Sequence, residues 1–319
     1  MLRKFAAILS ALLIVGSVYG QQQTQELDPT TKWATIAENE FHVSFNIIYG
    51  KANNVDLRLD VITVGPTSVP RPTLLYFHGG GWLEGTKEST LLYGLPYMAH
   101  GMNFINVEYR MAPESLAPAA VEDCRCALHW AYDHAKDYGI DTSKIVVSGH
   151  SAGGHLALMT GLLKPTDGFD NSCRRLSDEW RLGTIQDVKV AAIVNFFGPT
   201  DLPTLLAPPA PKNFAVRWFG SMPDRMEMAK RVSPITYARP GAPPVLTIMG
   251  DKDPILPYAQ ATSLRDALDH AGVPNELYTV VGAGHGSTTP YAWNRQQGLD
   301  AQAAVFSFLE KYGILPANQ

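Results

Sequence analysis

From residue 73 onward, short apolar runs alternate with longer helix-patterned stretches, and this rhythm limits the fold more than any other feature of the chain. The runs are TLLYFH, FINVEY, KIVVSGH, VAAIVNFF, PVLTIMG and ELYTVV, each rich in β-branched and aromatic side chains. Between them, residues 87–99, 117–137, 152–163, 258–271 and 298–312 carry helical spacing of apolar residues. Strands this apolar must be covered on both faces, which predicts an α/β domain with a mostly parallel central sheet and helices on either side. Ahead of it, FHVSFNIIYG and VDLRLDVITV flank the turn-like KANN and read as an N-terminal antiparallel hairpin.

The chain has 319 residues, 45% of them hydrophobic. That suits one large domain, placed at 41–319. Residues 199–239 break the rhythm and hold seven of the 23 prolines. About 40 residues with so few apolar side chains cannot close a core, so this segment reads as a lid-like insertion over the strand ends. Residues 1–20 have the layout of a secretory signal peptide: Arg3 and Lys4, an apolar run from Phe5 to Val18, and small residues before the polar QQQTQ. The apolar run is short of the roughly 20 residues of a spanning helix, so no membrane anchor is expected, and 21–40 reads as a linker. Removing 1–20 with its two basic residues takes the net charge from −4 to −6. A mildly acidic surface with no basic run excludes nucleic acid as the expected partner.

Of the three cysteines, Cys124 falls on the apolar face of a helix and reads as core. Cys126 lies off that face and can reach Cys173, but spacing alone leaves the pairing open. No metal site is expected, because Cys124 and Cys126 point to different sides of one helix.

The chemistry concentrates at SGHSAGGH, residues 148–155, where the run KIVVSGH passes into a helical stretch. GHSAG fits GxSxG, and a serine turned sharply out of a strand needs glycine two residues before and after it. Ser151 is therefore the candidate nucleophile, and the turn aims the amide of Ala152 at the same spot. Upstream, TLLYF runs into His78, Gly79, Gly80, Gly81 and Trp82. Three glycines at a strand end expose bare backbone, which suits N–H donors for an oxyanion.

A serine nucleophile needs a histidine base and a carboxylate to orient it. After Ser151 the chain has His155, His270 and His285. His270 sits in the helical SLRDALDHAG, whereas His285 lies in the glycine-rich GAGHGS after the last strand run and can reach across strand ends. Among the acids, Asp253 at the apex of GDKDP is preferred over Asp251, read as a turn-forming aspartate, and over Asp201 in GPTD. Neither neighbouring histidine is the expected base. His150 precedes the turn and should project away from the hydroxyl, and His155 lies a helical turn further on. Trp82, His150, Phe197, Trp218 and Ile255 are candidate pocket residues, with core packing the open alternative for the apolar ones. Arg110 and Asp123 are expected to pair and prop the glycine loop.

HGGGW, YRMAPE, GHSAGGHLA, GDKDP and GHG, in this order over most of residues 41–312, resemble the α/β-hydrolase superfamily and, within it, esterases similar to hormone-sensitive lipase. Members of that branch commonly read GDSAG where this chain has His150, and carry an N-terminal helical cap where this chain has the hairpin. The chain thus looks closer to capless secreted bacterial esterases, including feruloyl and acetyl-xylan esterases. The resemblance implies Ser151 as nucleophile, Asp253 as acid and His285 as base. It places the oxyanion donors at the amides of Gly80, Gly81 and Ala152, with Gly79 a further candidate. The expectation is a secreted serine ester hydrolase acting through an acyl-enzyme on a small-molecule or oligosaccharide ester, without cofactor or metal, as a monomer or small homo-oligomer. An amidase, arylformamidase-like or peptidase-like hydrolase is the alternative, and a catalytically silent hydrolase fold used for binding is the rival of another class.

Overall fold

A computed structural model describes residues 26–173, 187–287 and 292–317. The expected signal peptide lies outside the described residues. Among the described residues, those before Glu40 and those from Glu40 onward form two compact units. Residues 29–40, read as part of a linker, form helix α1 (Pro29–Glu40), whose start is fixed by the Asp28 carboxylate accepting from the amides of Thr30 and Thr31.

In the second unit, strands β1 (Phe41–Ala52), β2 (Val55–Val64), β3 (Arg71–Phe77), β4 (Asn103–Val107), β5 (Ile140–His150), β6 (Ala192–Phe196), β7 (Val245–Gly250) and β8 (Asn275–Val280) form one sheet in the order β1-β2-β4-β3-β5-β6-β7-β8. Among the described residues, only the β1–β2 and β2–β4 pairings are antiparallel. The rest are parallel, which is the expected α/β class. The β1–β2 hairpin turns at Asn53 and Asn54, both with positive φ, the conformation that a two-residue hairpin loop demands. Along β3, Leu75 and Phe77 enter one apolar core and Leu74 and Tyr76 the other, so the strand is buried on both sides.

Helices α3 (Ala119–Asp133) and α4 (Ala152–Leu162) cover one face, and α2 (Leu95–Ala99) with the C-terminal helix Arg295–Lys311 covers the other. The stretch 87–99, expected as one helix, is split into a 3-10 turn Lys87–Gly94 and α2. Pro96 in the first turn of α2 has no N–H to continue a longer helix, and Gly94 lies against the Phe104 ring. The segment 199–239 folds into short helices, Leu202–Leu206, Asn213–Phe219 and Arg225–Arg231. Their buried side chains, Leu202, Leu205, Ala215, Trp218 and Phe219 among them, join the core of the α3–α4 face. Among the described residues, no helix is long and apolar enough to cross a membrane.

The cysteine pairing left open by spacing is made: Cys126 of α3 is bonded to Cys173, and Cys124 is free and buried. Beside it, the Arg125 guanidinium forks onto the buried Asp170 (Nε–Oδ1 2.7 Å, Nη2–Oδ2 2.5 Å), so two links tie the loop after α4 to α3. The disulfide closes a loop with a sequence separation of 47. Replacing Cys126 and Cys173 together by serine should lower stability by about 2–4 kcal/mol, measured from urea unfolding of the oxidised protein and the variant.

Candidate active site

Ser151 stands between the last residue of β5 and the first of α4 with φ 55° and ψ −122°. A non-glycine residue is rarely held there, and the neighbouring chain leaves it no alternative. A Cβ on Gly153 would lie 2.0 Å from the carbonyl oxygen of Phe77, and one on Gly149 would lie 2.5 Å from the same atom. Strand β3, the elbow and the first turn of α4 are thus in backbone contact, which only glycine at both positions permits. The Ser151 amide donates to the carbonyl of Phe196 at the end of β6 (2.9 Å), pinning the turn from the other side.

The loops after β7 and β8 bring the other two groups. The Ser151 hydroxyl donates to His285 Nε2 (2.9 Å), and His285 Nδ1–H donates to Asp253 Oδ2 (2.6 Å). The Asp253 side chain has no exposed surface, and its Oδ1 accepts from the amides of Ile255 and Leu256 (2.8 and 2.9 Å). Both oxygens are therefore engaged, and the imidazole is held in one tautomer with Nε2 facing the serine. Asp251 does a different job: its Oδ1 accepts from the amide of Gly282 (2.6 Å) and ties the loop after β7 to the loop after β8. Asp201 opens the helix Leu202–Leu206, its amide bonded to Gln260, and His270 is an exposed residue at the end of Ala259–His270. The His285 loop is braced by Trp293, whose amide and indole N–H donate to the carbonyls of Gly286 and Gly284.

Opposite Ser151 lies the glycine loop after β3. Gly80 has φ +115°, and a Cβ there would fall 1.8 Å from the carbonyl oxygen of Glu84. Among the described residues, the amides of Gly80, Gly81 and Ala152 have no hydrogen-bond acceptor. The loop is propped through backbone: the Tyr109 hydroxyl donates to the His78 carbonyl (2.8 Å) and the Ala112 amide to that of Trp82 (2.9 Å). Between those two residues, Arg110 forks onto the buried Asp123 of α3 (Nε–Oδ2 2.8 Å, Nη2–Oδ1 2.7 Å). The expected pair exists, and it acts by fixing the segment that holds the loop.

These groups open on a cavity of about 630 Å³. Of the candidate pocket residues, Trp82, His150, Phe197 and Ile255 line it, as do Gly80, Gly81, Ser151, Ala152 and His285. Gly79 is not among the lining residues and packs under the His150 ring. Trp218 is a correction: it is fully buried and stacks on Trp82 from beneath (centroids 4.1 Å apart), because the segment carrying it packs into the core. Sequence reasoning passes over Tyr76, Tyr93, Phe196, Phe214, Trp293 and Gln302, which also line the cavity. Only Tyr76 carried a signal, as the alternate-face residue next to the end of β3.

His155 is structural. Its Nδ1 accepts from the Trp82 indole (3.2 Å) and its Nε2–H donates to the Val232 carbonyl (2.7 Å), which requires the neutral ring. Burial pushes its pKa down from 6.5 to about 4.

The BD-FAE family model matches residues 59–268, more than half of the chain. Esterase LipQ of Mycobacterium tuberculosis is 28% identical over 226 residues, covering 67% of this chain and 49% of its own, so the chain spans about half the length of this curated relative. Thermogutta terrifontis esterase 2 phosphonylated by sarin superposes with a TM-score of 0.72 at 25% identity, over 86% of this chain and 96% of that one. The propionate-bound form of the same esterase gives 0.69, also at 25% identity and over the same shares of the two chains.

Two measurements follow from this geometry. Gly153→Ala places a methyl against the Phe77 carbonyl and should cost about 3 kcal/mol or more of stability in urea unfolding. For His155, the folded and unfolded chains both carry a neutral ring above pH 6.5, so stability there is independent of it. Between pH 6.5 and about 4, the unfolded chain takes up a proton that the folded site refuses, so stability falls as pH is lowered through this window. The loss attributable to this ring should approach about 3 kcal/mol, and His155→Gln should flatten the slope of urea midpoint against pH. With this fold and the family match over its central strands, the chain belongs to the BD-FAE family and has the α/β-hydrolase fold.

Proposed function

We propose that the chain is an exported carboxylic-ester hydrolase that turns over small and medium esters through an acyl-enzyme. The observation that carries this reading is the unbroken chain from Ser151 to His285 to Asp253, set against three free amides across one cavity. As the Ser151 oxygen attacks the ester carbonyl, its proton passes to His285 Nε2, and the buried Asp253 carboxylate stabilises the imidazolium that forms. The amides of Gly80, Gly81 and Ala152 meet the charge that develops on the carbonyl oxygen. His285 then protonates the departing alcohol, and in the second half it takes a proton from water, which releases the acid and restores Ser151.

A cavity of this size, lined largely by aromatic and apolar side chains, suits acetyl esters and bulkier aromatic acyl groups such as feruloyl, the classes expected for plant polysaccharide. The propionate held by Thermogutta terrifontis esterase 2 supports the short-acyl end of this range. The Cys126–Cys173 disulfide supports export, since such bonds persist in oxidising compartments.

A fluorophosphonate probe should label the protein at Ser151, with no labelling of Ser151→Ala. Against nitrophenyl esters, formyl anilides and short peptides, the esters should be the substrates. Ser151→Ala and His285→Ala should each lower kcat by on the order of 10⁴-fold or more. Turnover of the amides without the esters would replace this reading by an amidase, and a folded protein that takes no label would replace it by a binding role.

A further inference from the structure

One side of the cavity is lined by Tyr76, Tyr93, His150 and Gln302, none of which has a part in the chemistry proposed above. The His150 ring stacks on Tyr93 (centroids 5.1 Å apart), and its Nδ1 lies 3.1 Å from the Tyr76 hydroxyl. Tyr76 is buried and its hydroxyl has no other acceptor among the described residues, so it donates to Nδ1 and leaves the ring proton on Nε2. Burial pushes the His150 pKa down to about 4, with His78 and His285 adding to the shift. At neutral pH the ring is therefore an uncharged N–H donor.

Below it the polar character continues. Ser148 is the register partner of Tyr76, and the Tyr97 hydroxyl neighbours both Ser148 and Gln302. Ser148 and Tyr97 are 0% and 2% exposed, yet Ser148 Oγ, Tyr97 Oη and Gln302 Nε2 are buried without a completed hydrogen bond. Ser148 and Tyr97 lie behind the cavity wall, whereas Gln302 belongs to its lining; buried polar groups are nearly always satisfied, so the unmet Nε2 of Gln302 is available to an acceptor there. None of these side chains is charged. A carboxylate would be stranded there without a counter-charge, whereas a ketone, ether or hydroxyl oxygen would not.

We infer that this side of the cavity is a polar subsite for an uncharged oxygen acceptor carried by the substrate away from the ester, with His150 and Gln302 as its specificity-determining donors. The subsite rests on the ester-hydrolase reading and adds a preference that the catalytic groups do not require. Tyr76 and Tyr93, their rings nearly parallel at 14°, wall it with flat surfaces that suit an unbranched chain.

The test compares kcat/KM within matched pairs. One pair is the nitrophenyl ester of a straight-chain acid and that of its keto analogue of equal length. The other is the butyrate of a straight-chain alcohol and that of an ether alcohol of equal length. The protein should prefer the oxygenated member of at least one pair by about five- to tenfold, and Gln302→Leu and His150→Phe should each bring that ratio close to unity. A ratio cancels any general loss of activity or of folded protein. The pair that responds assigns the subsite to the acyl or to the alcohol side. Equal turnover within both pairs, or a preference that survives both substitutions, overturns the subsite while leaving the ester hydrolase standing. Turnover of neither pair overturns the ester-hydrolase reading and the subsite with it.

Discussion

Everything at the site is placed relative to one strained backbone turn. Ser151 sits at a φ that costs on the order of 1–3 kcal/mol, and it stays there because backbone from both neighbouring strands closes on the turn. The Phe77 carbonyl at the end of β3 fills the space beside Gly149 and Gly153, and the Phe196 carbonyl at the end of β6 takes the Ser151 amide. The turn therefore cannot relax without separating β5 from both its neighbours. That same packing starts α4 where it does, and so decides where the Ala152 amide points.

The loops that face this turn are held in a common way, chiefly by bonds to their backbone. Tyr109 and Ala112 hold the glycine loop, and Arg110 with Asp123 holds them. Trp293 holds the carbonyls on either side of His285, and Asp251 joins that loop to the one carrying Asp253. Trp82 reaches from the glycine loop to His155 of α4, which in turn bonds Val232 and so connects the loop to the segment after Arg225–Arg231. These bonds all serve three short loops.

The mostly parallel sheet with its N-terminal hairpin and the juxtaposition of Ser151, His285 and Asp253 are legible in the sequence because each has a local signature: apolar runs at regular intervals, and glycines where a strand must end in a sharp turn. The rest depends on tertiary distance. Helical spacing set Cys126 off the apolar face but could not measure its approach to Cys173. Trp218 looked like a pocket residue because a large aromatic side chain is equally at home in a cavity wall and in a core, and only its stacking beneath Trp82 distinguishes them. Residues 87–99 kept helical spacing across Gly94 and Pro96, where the backbone cannot keep the helix. Tyr76, Tyr93 and Gln302 come from a strand, a 3-10 turn and the C-terminal helix, and no spacing rule joins them.

The order of these elements along the chain has a consequence in time. The nucleophile turn belongs to β5, but His285 follows β8, which pairs only with β7 at the far edge of the sheet. A chain emerging from the ribosome can form the elbow and the glycine loop while the imidazole that would deprotonate Ser151 has yet to be made. Under the proposed mechanism, Ser151 has no proton acceptor until β8 docks, and reactivity would wait on completion of the sheet.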